Sequence, residues 1–115
     1  MYTYKIKKIL KIYDGDTITI EVDLGFGVTK KEKLRLAFID APEIRGESRP
    51  EGLKSRDWLR EVLYSAEKED KIIIARTIRD RKGKYGRYIA ELFLDDTEGI
   101  SINQRMINEG YALVY

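Results

Sequence analysis

The chain contains no cysteine and no histidine. Without cysteine there are no disulfides and no thiolate metal sites. Without histidine there is neither the commonest general base near neutral pH nor the usual zinc ligand. Catalysis here has to rest on carboxylates, arginine, lysine, tyrosine or a hard metal ion. No apolar run is long enough to span a bilayer, so no membrane association is expected. Met1 to Lys5 do not lead into an apolar signal segment, which leaves a cytoplasmic chain or one whose leader has been removed. Asparagine and glutamine are scarce too (Asn103, Gln104 and Asn108), while 37% of residues are charged. That balance leans towards a heat-adapted source.

What is present suits one small domain spanning residues 1–115, expected as a monomer. With 43% hydrophobic residues the chain can bury a modest core. The net charge is only +2, but it is uneven. Between Arg76 and Arg87 stand Arg76, Arg79, Arg81, Lys82, Lys84 and Arg87 against the single acid Asp80. Such a local excess suits a polyanion such as nucleic acid, although a solvated basic loop would look the same.

Hydrophobic periodicity gives the outline. Tyr4, Ile6, Leu10 and Ile12 alternate loosely with lysines over residues 4–13, with Lys8 out of step, which reads as a first strand. Asp14-Gly15-Asp16 is a turn, and Ile18, Ile20 and Val22 form the inner face of a returning strand. After a turn holding Gly25 and Gly27, a third strand is expected from Val28 to Ile39, with Leu34, Leu36 and Phe38 inward. A polar loop over residues 44–50 precedes a helix from Pro50 to Ala66, with Leu59, Val62, Leu63 and Ala66 at helical spacing and Trp58 as a core or edge anchor rather than a base-stacking platform. Strands are expected at residues 71–75 and 87–94. Ser101 looks like a helix N-cap, Gln104 its capping-box partner and Gly110 the stop. Tyr111 to Tyr115 reads as an apolar tail. The order β-β-β-α-β-β-α predicts a mainly β, α+β fold, a five-stranded OB-type β-barrel with two helices.

Three charged motifs fall at strand ends: Asp14-Gly15-Asp16-Thr17; Arg35 with Asp40 and Glu43, where Pro42 breaks the strand; and Lys84-Tyr85-Gly86-Arg87. In a barrel these ends can meet. Two carboxylates with a backbone carbonyl make an oxygen-only site for calcium or magnesium. Two guanidinium groups can grip phosphate oxygens, and a further carboxylate can activate water. These are the parts of a phosphodiester hydrolase. Alone, each motif also reads as turn chemistry or a surface ion pair worth about 0–1 kcal/mol.

Taken together, in order and spacing, Asp14 to Thr17, Arg35 to Glu43 and Lys84 to Arg87 resemble the staphylococcal nuclease, or thermonuclease, family over residues 5 to 113. The resemblance implies a calcium-dependent nuclease on an OB-type barrel, hydrolysing DNA or RNA by in-line attack of water associated with the ion and leaving 3′-phosphates. It makes Asp16 and Asp40 side-chain calcium ligands and the Ala41 carbonyl a further one. Glu43 becomes the general base, Arg35 and Arg87 bind the scissile phosphate, and Lys84 and Tyr85 touch the nucleotide's other phosphate. Two departures are visible: Ala41 stands where familiar members have threonine, and the third helix those members carry does not follow Tyr115. The surface it would cover is then expected to be closed otherwise or left open, with the apolar tail free for a partner or a larger parent protein. A non-catalytic nucleic-acid-binding module on the same barrel is the alternative.

Overall fold

The computed structural model describes residues 2–78, 86–95 and 99–115. In chain order its elements are β1 (Thr3–Asp14), β2 (Thr17–Asp23), β3 (Thr29–Leu36), β4 (Ile39–Asp40), a 3₁₀ turn (Gly46–Ser48), α1 (Arg49–Lys68), β5 (Ile73–Thr77), β6 (Tyr88–Leu94), α2 (Ile102–Asn108) and β7 (Leu113–Val114). Five strands close into a barrel in the order β1-β2-β3-β6-β5. With the two helices this is the expected mainly β, OB-type α+β fold. Every pairing in the barrel is antiparallel except β3 with β6, which run parallel with Arg35 opposite Ile89.

The second strand follows its sequence pattern. Ile18, Ile20 and Val22 are buried, while Thr17, Thr19 and Glu21 stay half-exposed. The first strand does not alternate. Ile6, Ile9 and Ile12 are its buried residues, and the register against β2 shifts after Ile6, after Ile9 and after Ile12. Each shift sets an extra β1 residue against the partner strand, so burial recurs every third residue instead of every second. Leu10, expected inside, is therefore 39% exposed, and Lys8 falls on the outer face as one register among several.

The third strand stops at Leu36, three residues earlier than expected. Phe38 takes a left-handed φ of +66°, which breaks the two-residue period. Ala37 and Ile39 are buried and Phe38 is 53% exposed, so Phe38 does not anchor the strand. Beyond this turn β4 pairs antiparallel with β7, Ile39 opposite Val114 and Asp40 opposite Leu113. The tail thus acts as a strand that fixes the backbone of Asp40, although the Leu113, Val114 and Tyr115 side chains remain exposed.

Both helices pack on the barrel. Leu59, Leu63 and Ala66 of α1 enter the core with Ile9 and Ile12, and truncating either leucine to alanine would cost about 2–5 kcal/mol. Trp58 stacks on Tyr111 at 5.6 Å, the edge anchor expected of it. The Ser101 side chain accepts from the Gln104 N–H at 2.9 Å, a working N-cap. The Gln104 side chain does not complete the box; it donates to Asn108 Oδ1 at 2.9 Å. Gly110, at φ +82°, ends α2 with the Gly110 N–H donating to the Ile107 carbonyl and the Tyr111 N–H to that of Met106. Among the described residues no helix is long and apolar enough to cross a membrane.

Candidate active site

An open cleft of about 1260 Å³ lies beside the outer face of the β1-β2-β3 sheet. It gathers Asp16, Arg35, Asp40, Ala41, Glu43 and Arg87 from three separated segments, along with Asp14 and Thr17. Lys84 and Tyr85 lie outside the described residues.

Pairing explains the convergence. Thr17, first in β2, stands opposite Arg35 near the end of β3. The parallel β3–β6 pair then sets Arg35 opposite Ile89, two residues past Arg87. Successive residues of a strand alternate faces, so Arg87 and Ile89 share the face on which Thr17 and Arg35 lie. Arg87 Nη1 donates to Thr17 Oγ1 at 3.3 Å, and that hydroxyl donates to Asp16 Oδ1 at 3.3 Å.

Arg35 is the hub. Its Nη1 donates to the carbonyls of Leu36 (2.7 Å) and Ile39 (3.0 Å), bracing the turn that ends β3. Its Nη2 lies 3.5 Å from Asp16 Oδ2 and 3.8 Å from Asp40 Oδ1. The Tyr115 ring covers the guanidinium, with its centroid 4.9 Å from Cζ. The Arg35 side chain is 18% exposed, so its charge acts in a partly desolvated setting, where it is worth more than at the open surface.

The two aspartates differ. Asp16 is buried, and its Oδ2 accepts the Ala41 N–H at 3.0 Å, which ties the β1–β2 turn to the segment after β4. The Asp40 side chain is 59% exposed. Neighbouring Asp14 has its carboxyl pushed up to about 6, first by burial and then by the negative charge of Asp16. Its Oδ1 accepts the Asp16 N–H at 3.1 Å. Carboxylates crowded in this way suit an added positive charge. The donor set that Asp16 and Asp40 bring to Arg35 is oxygen-only, the chemistry that fits a hard cation. Among the described residues no group of three or more acidic side chains closes round such an ion, so water and substrate would complete its shell.

Glu43 opens onto the same cleft. Its carboxylate is exposed and makes no hydrogen bond or ion pair among the described residues. Its backbone is firmly placed. The Glu43 carbonyl accepts the Ser48 hydroxyl at 2.9 Å, and Gly52 of α1 packs so closely on Pro42 and Glu43 that a Cβ there would strike their carbonyls.

Several positioning residues were not legible as such in the sequence. Asn103 is 2% exposed; its Nδ2 donates to the Ala37 carbonyl (2.8 Å) and the Ala90 carbonyl (3.2 Å), while its Oδ1 accepts the Leu92 N–H (3.0 Å). It locks the turn after β3 onto β6. The available signal was a polar side chain on the apolar face of α2, between Ile102 and Met106. Ser55 and Gly52 of α1 left only the hint of small residues facing the loop. The backing of Arg35 by Tyr115 had none.

A family model described as staphylococcal nuclease homologue matches residues 33–115. The chain belongs to that family. An uncharacterised protein of Methanocaldococcus jannaschii is also similar, 31% identical over 125 aligned residues that take in 94% of this chain. The chain spans 58% of that relative's length. In this family member the matched segment carries Arg35, Asp40, Glu43 and Arg87, whereas Asp14 to Thr17 precede it. The residues that bind the two parts together are therefore read from the geometry above: the Asp16–Ala41 hydrogen bond and the Arg87–Thr17 contact.

Proposed function

We propose that the chain is a calcium-dependent nuclease that hydrolyses DNA or RNA to leave 3′-phosphates. The observation that carries the reading is the convergence of Asp16 and Asp40 on one Arg35 nitrogen, with Arg87 alongside, in one cleft of a staphylococcal nuclease homologue. Asp16 and Asp40 hold the calcium, with the Ala41 carbonyl as the third protein ligand. When bound, the ion supplies positive charge beside the phosphate and lowers the pKa of nearby water. Arg35, braced by two backbone carbonyls, shares Nη2 between Asp16 and Asp40 and turns it to a phosphate oxygen once the two carboxylates are taken up by the cation. Arg87 reaches the same phosphate from β6. Their paired charge offsets the negative charge that builds on the five-coordinate phosphorus. Glu43, its carboxylate unengaged among the described residues and its backbone held, takes the proton from water as it attacks. The P–O5′ bond breaks in line as the bond from the attacking water oxygen to phosphorus forms, the departing 5′-oxygen takes a proton from solvent, and the phosphate stays on the 3′ side. Lys84 and Tyr85 are assigned the neighbouring phosphate.

The test is cleavage of a labelled single-stranded oligonucleotide with calcium, with chelator, and with calcium for Asp40→Ala and Arg87→Ala. Asp40 is the better probe of the cation because it is exposed, whereas Asp16 also holds the Ala41 backbone. Each variant is expected to lower kcat by at least about 100-fold, of the order seen when one charge-stabilising group is removed. Calcium-independent cleavage at the parental rate in all arms would sink the mechanism. Binding that weakens with salt, ignores calcium and gives no turnover would point to the binding module instead.

A further inference from the structure

The sheet that carries the cleft continues to the β2–β3 hairpin, whose tip carries an aromatic side chain that packing does not explain. The β2–β3 loop is closed by its own hydrogen bonds. The Leu24 N–H donates to the Val28 carbonyl at 2.8 Å, the Val28 N–H to that of Gly25 at 2.9 Å, and the Gly25 N–H to Asp23 Oδ1 at 2.8 Å. At its tip Phe26 is 106% exposed with φ +54°, between Gly25 at +83° and Gly27 at +76°. A left-handed conformation is costly for a side chain of this kind, and here no burial offsets it. Such an outlier is a reason to look for a function.

The ground between Phe26 and the cleft is cationic. Arg35, Lys33 and Lys31 occupy alternate positions of β3, about 6.8 Å apart, on one face. Across the sheet, Lys33 lines up with Thr19 and Lys11, and Lys31 with Glu21 and Lys8. The bulges of β1 bring a lysine to this face at each of these two rungs, because they match three residues of β1 to two of β2. Lys8, Lys31 and Lys33 are exposed and form no ion pair among the described residues, and the acids of β2 on this face, Glu21 and Asp23, are outnumbered by Lys8, Lys11, Lys31, Lys33 and Arg35. From Arg35 to the start of β3 the strand runs about 20 Å.

We infer that this face is a track for single-stranded nucleic acid. The lysine rungs hold successive backbone phosphates leading away from the cleft, and Phe26 stacks on an unpaired base at the end. A positive groove that follows the backbone and ends on an aromatic platform is how OB-type barrels hold single strands, over roughly 4–16 nucleotides. The inference rests on the nucleic-acid reading of the cleft and adds a second contact region to it.

The experiment is fluorescence anisotropy of labelled oligothymidylates from two to about ten nucleotides, in chelator so that none is cut. The parent chain, Phe26→Ala and the double variant Lys31→Ala/Lys33→Ala are compared. Phe26 is fully exposed, so its truncation spares the fold. Affinity is expected to climb with length and then level off. Phe26→Ala should lose about tenfold on long oligomers and nothing on the dinucleotide. The double variant should flatten the plot of log K against log salt by roughly 1.4, at about 0.7 per phosphate contact. Length-independent binding, or Phe26→Ala binding long oligomers as tightly as the parent, overturns the track while leaving the cleft's function standing. No binding at any length, together with no calcium-dependent cleavage, overturns both. Phe26→Ala that abolishes binding to anionic lipid vesicles but leaves oligonucleotides unaffected makes the tip a membrane contact and also overturns the track.

Discussion

The two turns at the ends of β2 look alike in sequence, each with a glycine within two residues of an aspartate, yet they are built for opposite purposes. In the β1–β2 turn Gly15 is needed for space. A Cβ there would come within 2.7 Å of the Ala41 Cβ, 2.9 Å of the Ser55 Cβ and 3.3 Å of Met106 Cε. In the β2–β3 turn Gly25 and Gly27 have open space around them and are needed for their positive φ. The first turn is welded to the segment after β4 and to both helices, and it carries Asp16. The second leaves both of its glycines in open space and presents Phe26. Glycine in a turn therefore marks a site only where the neighbouring packing demands it.

Substitutions can break this contrast. Gly15→Ala should have the largest effect. Overpacking costs about 1–3 kcal/mol, and here it would push Ala41 away from Asp16. We expect a fall in thermal midpoint of several degrees, about 4 °C for each kcal/mol, together with loss of calcium-dependent cleavage. Retained activity with lowered stability would mean that the turn supports the fold and not the cation site. Gly27→Ala comes next. It should cost about 1–2 kcal/mol by backbone strain alone and leave cleavage of short substrates unchanged, as read by urea denaturation and a dinucleotide assay. Phe26→Gly should have the smallest effect on stability, a gain of no more than about 1 kcal/mol, because relief of strain is partly cancelled by greater freedom in the unfolded chain. A clear loss of stability on Phe26→Gly would show that the ring packs on something in the folded protein.

Legibility in the sequence follows the range of the interaction that decides each feature. The strand β2 reads correctly because Ile18, Ile20 and Val22 alternate against one core. The helix α2 reads correctly because Ser101 and Gly110 act within a turn of where they stand. The bulges of β1 hid behind the three-residue spacing of Ile6, Ile9 and Ile12, which alternation cannot describe. The end of β3 was misjudged because Phe38 looks like an inward residue until its φ is known. The β4–β7 pair joins segments more than 70 residues apart and two residues long, too short to leave a pattern. For the candidate site, the motif residues Asp16, Arg35, Asp40, Glu43 and Arg87 were visible through their spacing. What holds them was not: Asn103 bridges the backbone of Ala37, Ala90 and Leu92, the Ser55 hydroxyl donates to the Tyr111 carbonyl, and the Tyr115 ring covers Arg35, each contact joining segments apart in the chain.

The parallel pairing of β3 with β6 also bears on the order of assembly. Residues 34–36 and 88–90 must meet across more than 50 residues of intervening chain, whereas β2 and β3 meet across a short turn. Closing the longer loop costs more chain entropy, and non-local parallel pairs form slowly. Arg35 and Arg87 sit on either side of that seam. A partly folded chain, with its hairpins formed and its barrel still open, would hold the two arginines apart. In refolding from urea, recovery of cleavage should therefore lag behind the first gain of β-structure by circular dichroism, and coincident phases would argue that the seam closes early. On the proposed function, cleavage would then belong only to chains in which this seam has closed, so closing the barrel would also be the step that switches cleavage on.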